Sequence, residues 1–116
     1  FGVCLGLQAI TEVFGGSLKN LDTVFHGVAT TMKVTDFDAE IYKNIPTEFE
    51  AGRYHSWNAS KFDFPEELKI TSVDEFGDIM SLEHKKHKIS AVQFHPESIL
   101  TPIGERLVRN FIEANK

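Results

Sequence analysis

The apolar positions of this chain follow two periods, one typical of helices and one typical of strands. Between residues 5 and 14 they recur at helical spacing, and Gly15-Gly16 is a typical helix end. A second helix is predicted to begin near Thr101-Pro102, because proline is favoured in a first helical turn. The apolar stripe of this second helix is Leu107, Val108, Phe111 and Ile112.

Strand patterns fill most of the chain between these two helices. Residues 68–74 alternate between apolar and polar, and Glu75-Phe76-Gly77-Asp78 then predicts a hairpin turn. A turn near His26-Gly27 is expected to separate two earlier strands, and one helical turn is expected over residues 38–44. Apolar residues 1–3 predict the end of a further, buried strand. The other strands are predicted over residues 17–21, 28–34, 48–57, 68–74, 79–83 and 89–94.

Composition places limits on the class of protein. A length of 116 residues allows one domain at most, and 41% hydrophobic residues are enough for a core. No apolar run approaches the roughly 18 residues of a membrane span. The net charge of −5 argues against a nucleic-acid partner. One cysteine excludes an internal disulfide and is typical of a reducing compartment such as the cytoplasm.

That single cysteine, Cys4, lies where the first strand is expected to turn into the first helix. Gly2 and Gly6 flank it in the Gly-x-nucleophile-x-Gly pattern of an elbow, a sharp turn that lifts a nucleophile above a sheet. The start of the helix would favour the thiolate, and the Leu5 N–H would supply an oxyanion donor. A buried structural thiol is the alternative interpretation.

A histidine and a carboxylate follow the last predicted strand. His95 stands at its end, and Glu97, two residues further on, could accept a proton from the imidazole and hold one tautomer. A capping or exposed histidine is the alternative. Cys4, His95 and Glu97 together are the groups that an acyl-transferring thiol enzyme needs.

Three stretches of the chain together resemble the class I (triad) glutamine amidotransferases. The similarity is greatest to the glutaminase subunit, component II, of anthranilate synthase and of aminodeoxychorismate synthase. The stretch that begins at Val92 is the most specific, since other relatives diverge after its Pro-Glu. The stretches are Gly2-Val3-Cys4-Leu5-Gly6-Leu7-Gln8, Arg53-Tyr54-His55-Ser56 and Val92-Gln93-Phe94-His95-Pro96-Glu97-Ser98-Ile99-Leu100-Thr101, followed by Gly104 and Asn110-Phe111.

The resemblance implies a fold and a reaction. The fold would be a flavodoxin-like, doubly wound α/β domain, of which residues 1–116 form the C-terminal part. Cys4 would attack the side-chain amide of glutamine, giving a γ-glutamyl thioester and ammonia. His95 would act as base and acid, and Glu97 would orient it. The ammonia would pass to a chorismate-binding synthase subunit, and no metal or organic cofactor is implied.

The resemblance also implies how glutamine is held. Gln8 would contact the substrate, and backbone groups at Ser56 and Trp57 would hold its amino-acid end. Two positions depart from the family, since residue 7 is commonly His and residue 57 commonly Leu. The loop that completes the oxyanion hole has no counterpart in this sequence. We therefore expect residues 1–116 alone to lack glutaminase activity, and to be unstable or to self-associate through an unpaired strand edge.

Two alternatives to this interpretation stay open. One is the glutaminase domain of another class I amidotransferase, such as GMP synthase, or a γ-glutamyl hydrolase. The other is a non-catalytic module that only binds and regulates a synthase.

His84 and His87 are a separate, weaker signal. They could form a metal pair, although a solvated hairpin turn is the preferred interpretation because Lys85 and Lys86 would repel a cation.

Overall fold

One mixed sheet with a helix on each face accounts for residues 1–116, all of which are described by the computed structural model. The strands lie in the order β1-β6-β5-β4-β2-β3; β1 and β6 pair in parallel and all other neighbours are antiparallel. The helices are α1 (Leu5–Val13) and α2 (Gly104–Ala114), with a 3₁₀ turn at Glu40–Tyr42. The strands are β1 (Gly2–Val3), β2 (Leu18–Val34), β3 (Glu48–Ala59), β4 (Leu68–Asp74), β5 (Ile79–His84) and β6 (Ser90–Val92).

Each face of the sheet buries its own apolar cluster. Helix α1 places Leu7 against the strand residues Leu82 and Ala91 on one face. Helix α2 places Leu107 on the other face, in a cluster that also contains Phe94. Ala91 of β6 belongs to the cluster under α1 and Val92 to the cluster under α2, so the two helices cover opposite faces of this strand. The predicted α/β class is confirmed.

The prediction of two strands separated by a turn at His26-Gly27 was wrong. One strand, β2, runs through 17 residues and pairs with β3 along most of that length. Two register shifts, between Asn20 and Phe25 and between His26 and Val28, absorb the extra residues as bulges. Gly27 has φ 70°, a conformation that glycine adopts without steric cost, and it bends the strand instead of ending it.

Other boundaries differ by a few residues. Helix α1 ends one residue before the predicted end, and β6 pairs only over Ser90–Val92 although a strand was predicted over 89–94. Helix α2 begins at Gly104, not near Thr101. The reason is that the Thr101 hydroxyl accepts a hydrogen bond from Gly52 N (2.9 Å) and donates one to His95 O (2.7 Å). Thr101 therefore fixes a loop before the helix can start.

The turn that contains the two neighbouring histidines is exposed over residues 85–88, as predicted, but His84 itself is not solvated. His84 is buried, and its Nδ1 accepts hydrogen bonds from Lys86 N (2.9 Å) and His87 N (3.0 Å). Its ring also packs against Phe14 and His87. His84 therefore organises the hairpin turn through its own side chain.

No helix of the chain is long and apolar enough to cross a membrane.

Gly104, the first residue of α2, packs closely against the loop before the helix, and a substitution there tests this packing. A Cβ at this position would overlap the carbonyl oxygen of Pro96, whereas a Cβ at Gly6 would meet nothing within 4 Å. We expect Gly104→Ala to lower the free energy of unfolding by about 1–3 kcal/mol. Gly6→Ala is the matched control and should raise it by roughly 0.5–1 kcal/mol, because alanine favours the helix. Urea unfolding of the intact protein measures both, and equal stability of the two variants would contradict this packing.

Candidate active site

Cys4 occupies a sharp turn between β1 and α1, as the sequence predicted. Its backbone has φ 55° and ψ −101°, which is strained for a residue with a side chain. The turn is held because Cys4 N donates to Val92 O (2.8 Å) and Cys4 O accepts from Leu7 N (3.1 Å). A Cβ on Gly2 would lie 3.0 Å from the backbone of Gly6, so this close approach requires glycine at position 2. Gly6 has open space around it, so a side chain at position 6 would meet no such steric conflict.

All of the sequence-predicted site residues border one cleft of about 840 Å³, a volume suited to a small ligand. They come from three parts of the fold: the start of α1, the second half of β3 and the loop after β6. Five further residues lining the cleft were not predicted. The predicted residues are Cys4, Leu5, Gln8, Ser56, Trp57, His95 and Glu97, and the others are Val3, Tyr54, His55, Ser98 and Ile99.

His95 is held on the loop after β6 by contacts on several sides. Its Nδ1 lies 2.7 Å from Glu97 Oε2, which leaves Nε2 as the nitrogen available to a substrate. Its backbone N donates to Gly52 O (2.9 Å), and its ring meets the Tyr54 ring nearly at right angles, with centroids 5.0 Å apart. The His95–Glu97 pair therefore has the arrangement expected of a proton shuttle and its orienting carboxylate.

His95 is not among the hydrogen-bond partners of the Cys4 sulfur. Cys4 Sγ lies 3.9 Å from Tyr54 O and accepts from Gln93 Nε2 at 3.5 Å. Burial raises the pKa of the Cys4 thiol, and the negative charge of Glu97 adds to the rise, while hydrogen bonds from Leu5 N–H and Gln93 lower the pKa. The net direction is opposite to our expectation that the helix start would favour the thiolate, because desolvation outweighs the donors.

Gln8 projects from α1 between β3 and the segment after β6. Its Nε2 donates to Trp57 O (2.9 Å) and to Gln93 Oε1 (3.1 Å), so both amide hydrogens are used inside the protein. Only Gln8 Oε1 is left to accept a hydrogen bond from a ligand in the cleft. The carbonyl of Trp57 is also fully used, since it accepts from Gln8 and lies 2.9 Å from His55 Nδ1.

His55 is a supporting residue that the sequence did not identify as such. Its Nε2 accepts from Arg53 Nε (3.0 Å), so its Nδ1 carries the hydrogen and donates to Trp57 O. Burial lowers the pKa of His55 to about 4, so the ring is neutral near pH 7. Arg53 in turn pairs with Asp74 at 2.9 Å, and both side chains are buried. Phe25, carried by the bulged part of β2, lies against Arg53 and His55.

The two departures from the family pattern fall in different environments. Leu7 is fully buried in the cluster beneath α1, so it has no contact with the cleft. Trp57 is 47% exposed and its side chain borders the cleft.

No group of three or more His, Cys, Asp or Glu side chains is placed to hold a metal ion.

Comparison with known proteins identifies the family. Residues 1–114 match the family model described as glutamine amidotransferase class-I. The chain is 46% identical to anthranilate synthase component 2 of Methanocaldococcus jannaschii, over 97% of this chain and 60% of the relative. It is 44% identical to the chloroplastic anthranilate synthase beta subunit 2 of rice, over 97% of this chain and 43% of the relative.

A solved structure gives the same result for the fold. A protein of Thermoplasma acidophilum, provisionally described as one component of a GMP synthase, superposes with a TM-score of 0.87 at 28% identity, covering 97% of this chain and 54% of that one. The chain thus spans about half of the length of the proteins it matches. The family match extends over both the elbow and the His95–Glu97 loop, and the chain belongs to the class I glutamine amidotransferases.

Proposed function

We propose that the protein containing this chain hydrolyses glutamine through a thioester on Cys4 and supplies the ammonia to a chorismate-using synthase subunit. The observation that carries the proposal is the meeting of three features at one cleft. A strained elbow presents a thiol, the His95–Glu97 pair stands on the facing loop, and Gln8 offers a carbonyl oxygen beside them. Amide hydrolysis requires a nucleophile, a proton shuttle and a means of holding the amide.

In the first half of the reaction, the Cys4 sulfur attacks the Cδ carbon of glutamine and its proton passes to His95 Nε2. The Leu5 N–H, at the start of α1, donates to the oxyanion of the tetrahedral intermediate. His95 then returns the proton to the leaving nitrogen, the C–N bond breaks and ammonia departs. Because thiol hydrogen bonds of a free site commonly tighten only on substrate binding, a Cys4–His95 contact is expected in the glutamine complex.

In the second half, water attacks the thioester carbon while His95 Nε2 accepts its proton. The C–S bond breaks, glutamate leaves and the thiol of Cys4 is restored. Glu97 stabilises the imidazolium formed in both halves, through its hydrogen bond to Nδ1. At the substrate's amino-acid end, Ser56 and the Trp57 N–H are the backbone groups that we assign, because the Trp57 carbonyl is already used by Gln8 and His55.

The names of the relatives support the chorismate-using partner. The relatives from Methanocaldococcus jannaschii and rice are both named as anthranilate synthase components, which favours anthranilate over aminodeoxychorismate as the product. The structural similarity to a component of a GMP synthase supports a second candidate, glutaminase action for a guanylate-forming synthase. Assaying the intact protein with each type of synthase separates the two, since only the correct partner should use glutamine.

The nucleophile is tested by Cys4→Ser in the intact protein with its partner. We expect glutamine-dependent synthesis to fall to background while synthesis from added ammonium salt stays unchanged, because only the thioester step needs the thiol. Both rates are measured on the same preparation, so the ammonia-dependent rate controls for folding and partner binding. Undiminished use of glutamine, or loss of both activities together, would count against Cys4 as the nucleophile.

The proton shuttle is tested by His95→Asn and Glu97→Gln in a steady-state glutaminase assay. General acid–base catalysis contributes about 10²–10⁴-fold, so His95→Asn should reduce kcat/KM by at least about 10²-fold. Glu97→Gln keeps a hydrogen-bond acceptor for Nδ1 but loses the negative charge. We expect the transition state to be destabilised by about 1 kcal/mol, which lowers kcat/KM roughly fivefold. The matched control is His26→Asn, because His26 is exposed and lies outside the cleft. A wild-type rate for His95→Asn would remove His95 from the mechanism.

A further inference from the structure

Gln93 is a polar side chain in a position where an apolar one would be expected. It lies between the buried residues Val92 and Phe94 just after β6, and it is itself completely buried. A buried amide is stable only when its groups find partners. Gln93 Oε1 accepts from Gln8 Nε2 at 3.1 Å, and Gln93 Nε2 donates to Cys4 Sγ at 3.5 Å.

The orientation of both amides follows from a group that can act only as an acceptor. The Trp57 carbonyl lies 2.9 Å from the Gln8 amide, which must therefore present its NH₂ group there. The same NH₂ group faces Gln93, so Gln93 must present its oxygen to Gln8. The only amide group of Gln93 left to face the sulfur is then the NH₂, a donor. His55 holds the Trp57 carbonyl from the other side.

This donor acts on the charged form of the sulfur more than on the neutral one. A thiol is a weak acceptor, whereas a hydrogen bond to an ionised group is about twice as strong as a neutral one. The other ionisable groups lining the cleft are His95 and Glu97 on the loop after β6, and Tyr54 and His55 on β3. Glu97 opposes ionisation of Cys4, so Leu5 N–H and Gln93 Nε2 are the donors that favour the thiolate.

We propose that Gln93 is a further catalytic residue: its side-chain amide, held in one orientation by Gln8, donates a hydrogen bond to the Cys4 thiolate as it forms and attacks. The proposal rests on the proposed function of Cys4 as nucleophile. It also assigns Gln8 a second task, because the residue that offers Oε1 to the substrate uses its NH₂ group to orient Gln93. Substrate contact and activation of the nucleophile are thereby linked through one side chain.

The test is the pH dependence of Cys4 alkylation by iodoacetamide in the intact protein, followed by mass spectrometry of the peptide that contains Cys4. Gln93→Met keeps the approximate volume and removes the donor, and it should move the alkylation midpoint upward by about one pH unit. Ser90→Ala, which changes a buried polar residue of β6, is the matched control and should leave the midpoint unchanged. A Gln93→Met midpoint equal to that of the control would overturn the proposal.

A second variant covers the case in which Gln93→Met does not fold. Gln8→Met leaves Gln93 in place but free to rotate, so a smaller upward shift in the same direction is expected. No shift in this variant, or loss of folding in both variants while Ser90→Ala folds, would give the amides a purely structural role and reject the proposal.

Glutaminase kinetics of the same variants separate this proposal from the proposed function. For Gln93→Met we expect kcat/KM near pH 7.5 to fall about tenfold, with the loss shrinking as the pH is raised, because more of the thiol ionises. A structural defect would not be relieved by higher pH. A shifted alkylation midpoint in a protein that never hydrolyses glutamine would reject the proposed function and keep the Gln93–Cys4 hydrogen bond.

Discussion

The side-chain amide of Gln8 lies between the three segments that supply the candidate active site. It belongs to α1, and it donates to Trp57 O on β3 and to Gln93 Oε1 after β6. The contact with Gln93 is buried and the contact with Trp57 is partly buried, so loss of the first would leave a buried polar group without a partner. The elbow, the substrate-facing end of β3 and the segment leading to His95 therefore keep fixed positions relative to one another.

A buried charged network holds the Trp57 carbonyl, to which the Gln8 amide donates. Asp74 pairs with Arg53, Arg53 Nε donates to His55, and His55 donates to the Trp57 carbonyl. Removing one member of a buried ion pair is strongly destabilising, because the other charge is left without compensation. The network keeps His55 in one tautomer, in which its Nδ1 hydrogen points at the same carbonyl that accepts from Gln8.

The sequence was sufficient for the parts of the site whose chemistry is local. The Gly2-x-Cys4-x-Gly6 and strand–His95–Pro–Glu97 patterns predicted the elbow and the loop, since residues close together in the sequence signal both. The sequence was insufficient where a residue far away along the chain determines the local structure. The bulges of β2 depend on pairing with β3, and α2 starts late because Gly52 engages Thr101. Gln93 gave a signal, a polar residue in an apolar strand, but its role follows only from the side chains around it.

The central claim, that Cys4 is the nucleophile of a glutamine site, is tested most directly by covalent labelling. A glutamine analogue with a chloroketone in place of the side-chain amide should alkylate the thiol that attacks the amide carbon. We expect saturable labelling of Cys4 in the intact protein, protection by glutamine, and loss of glutamine hydrolysis in proportion to the labelled fraction. Labelling that glutamine does not prevent, or glutamine hydrolysis that continues after Cys4 is fully modified, would contradict the account.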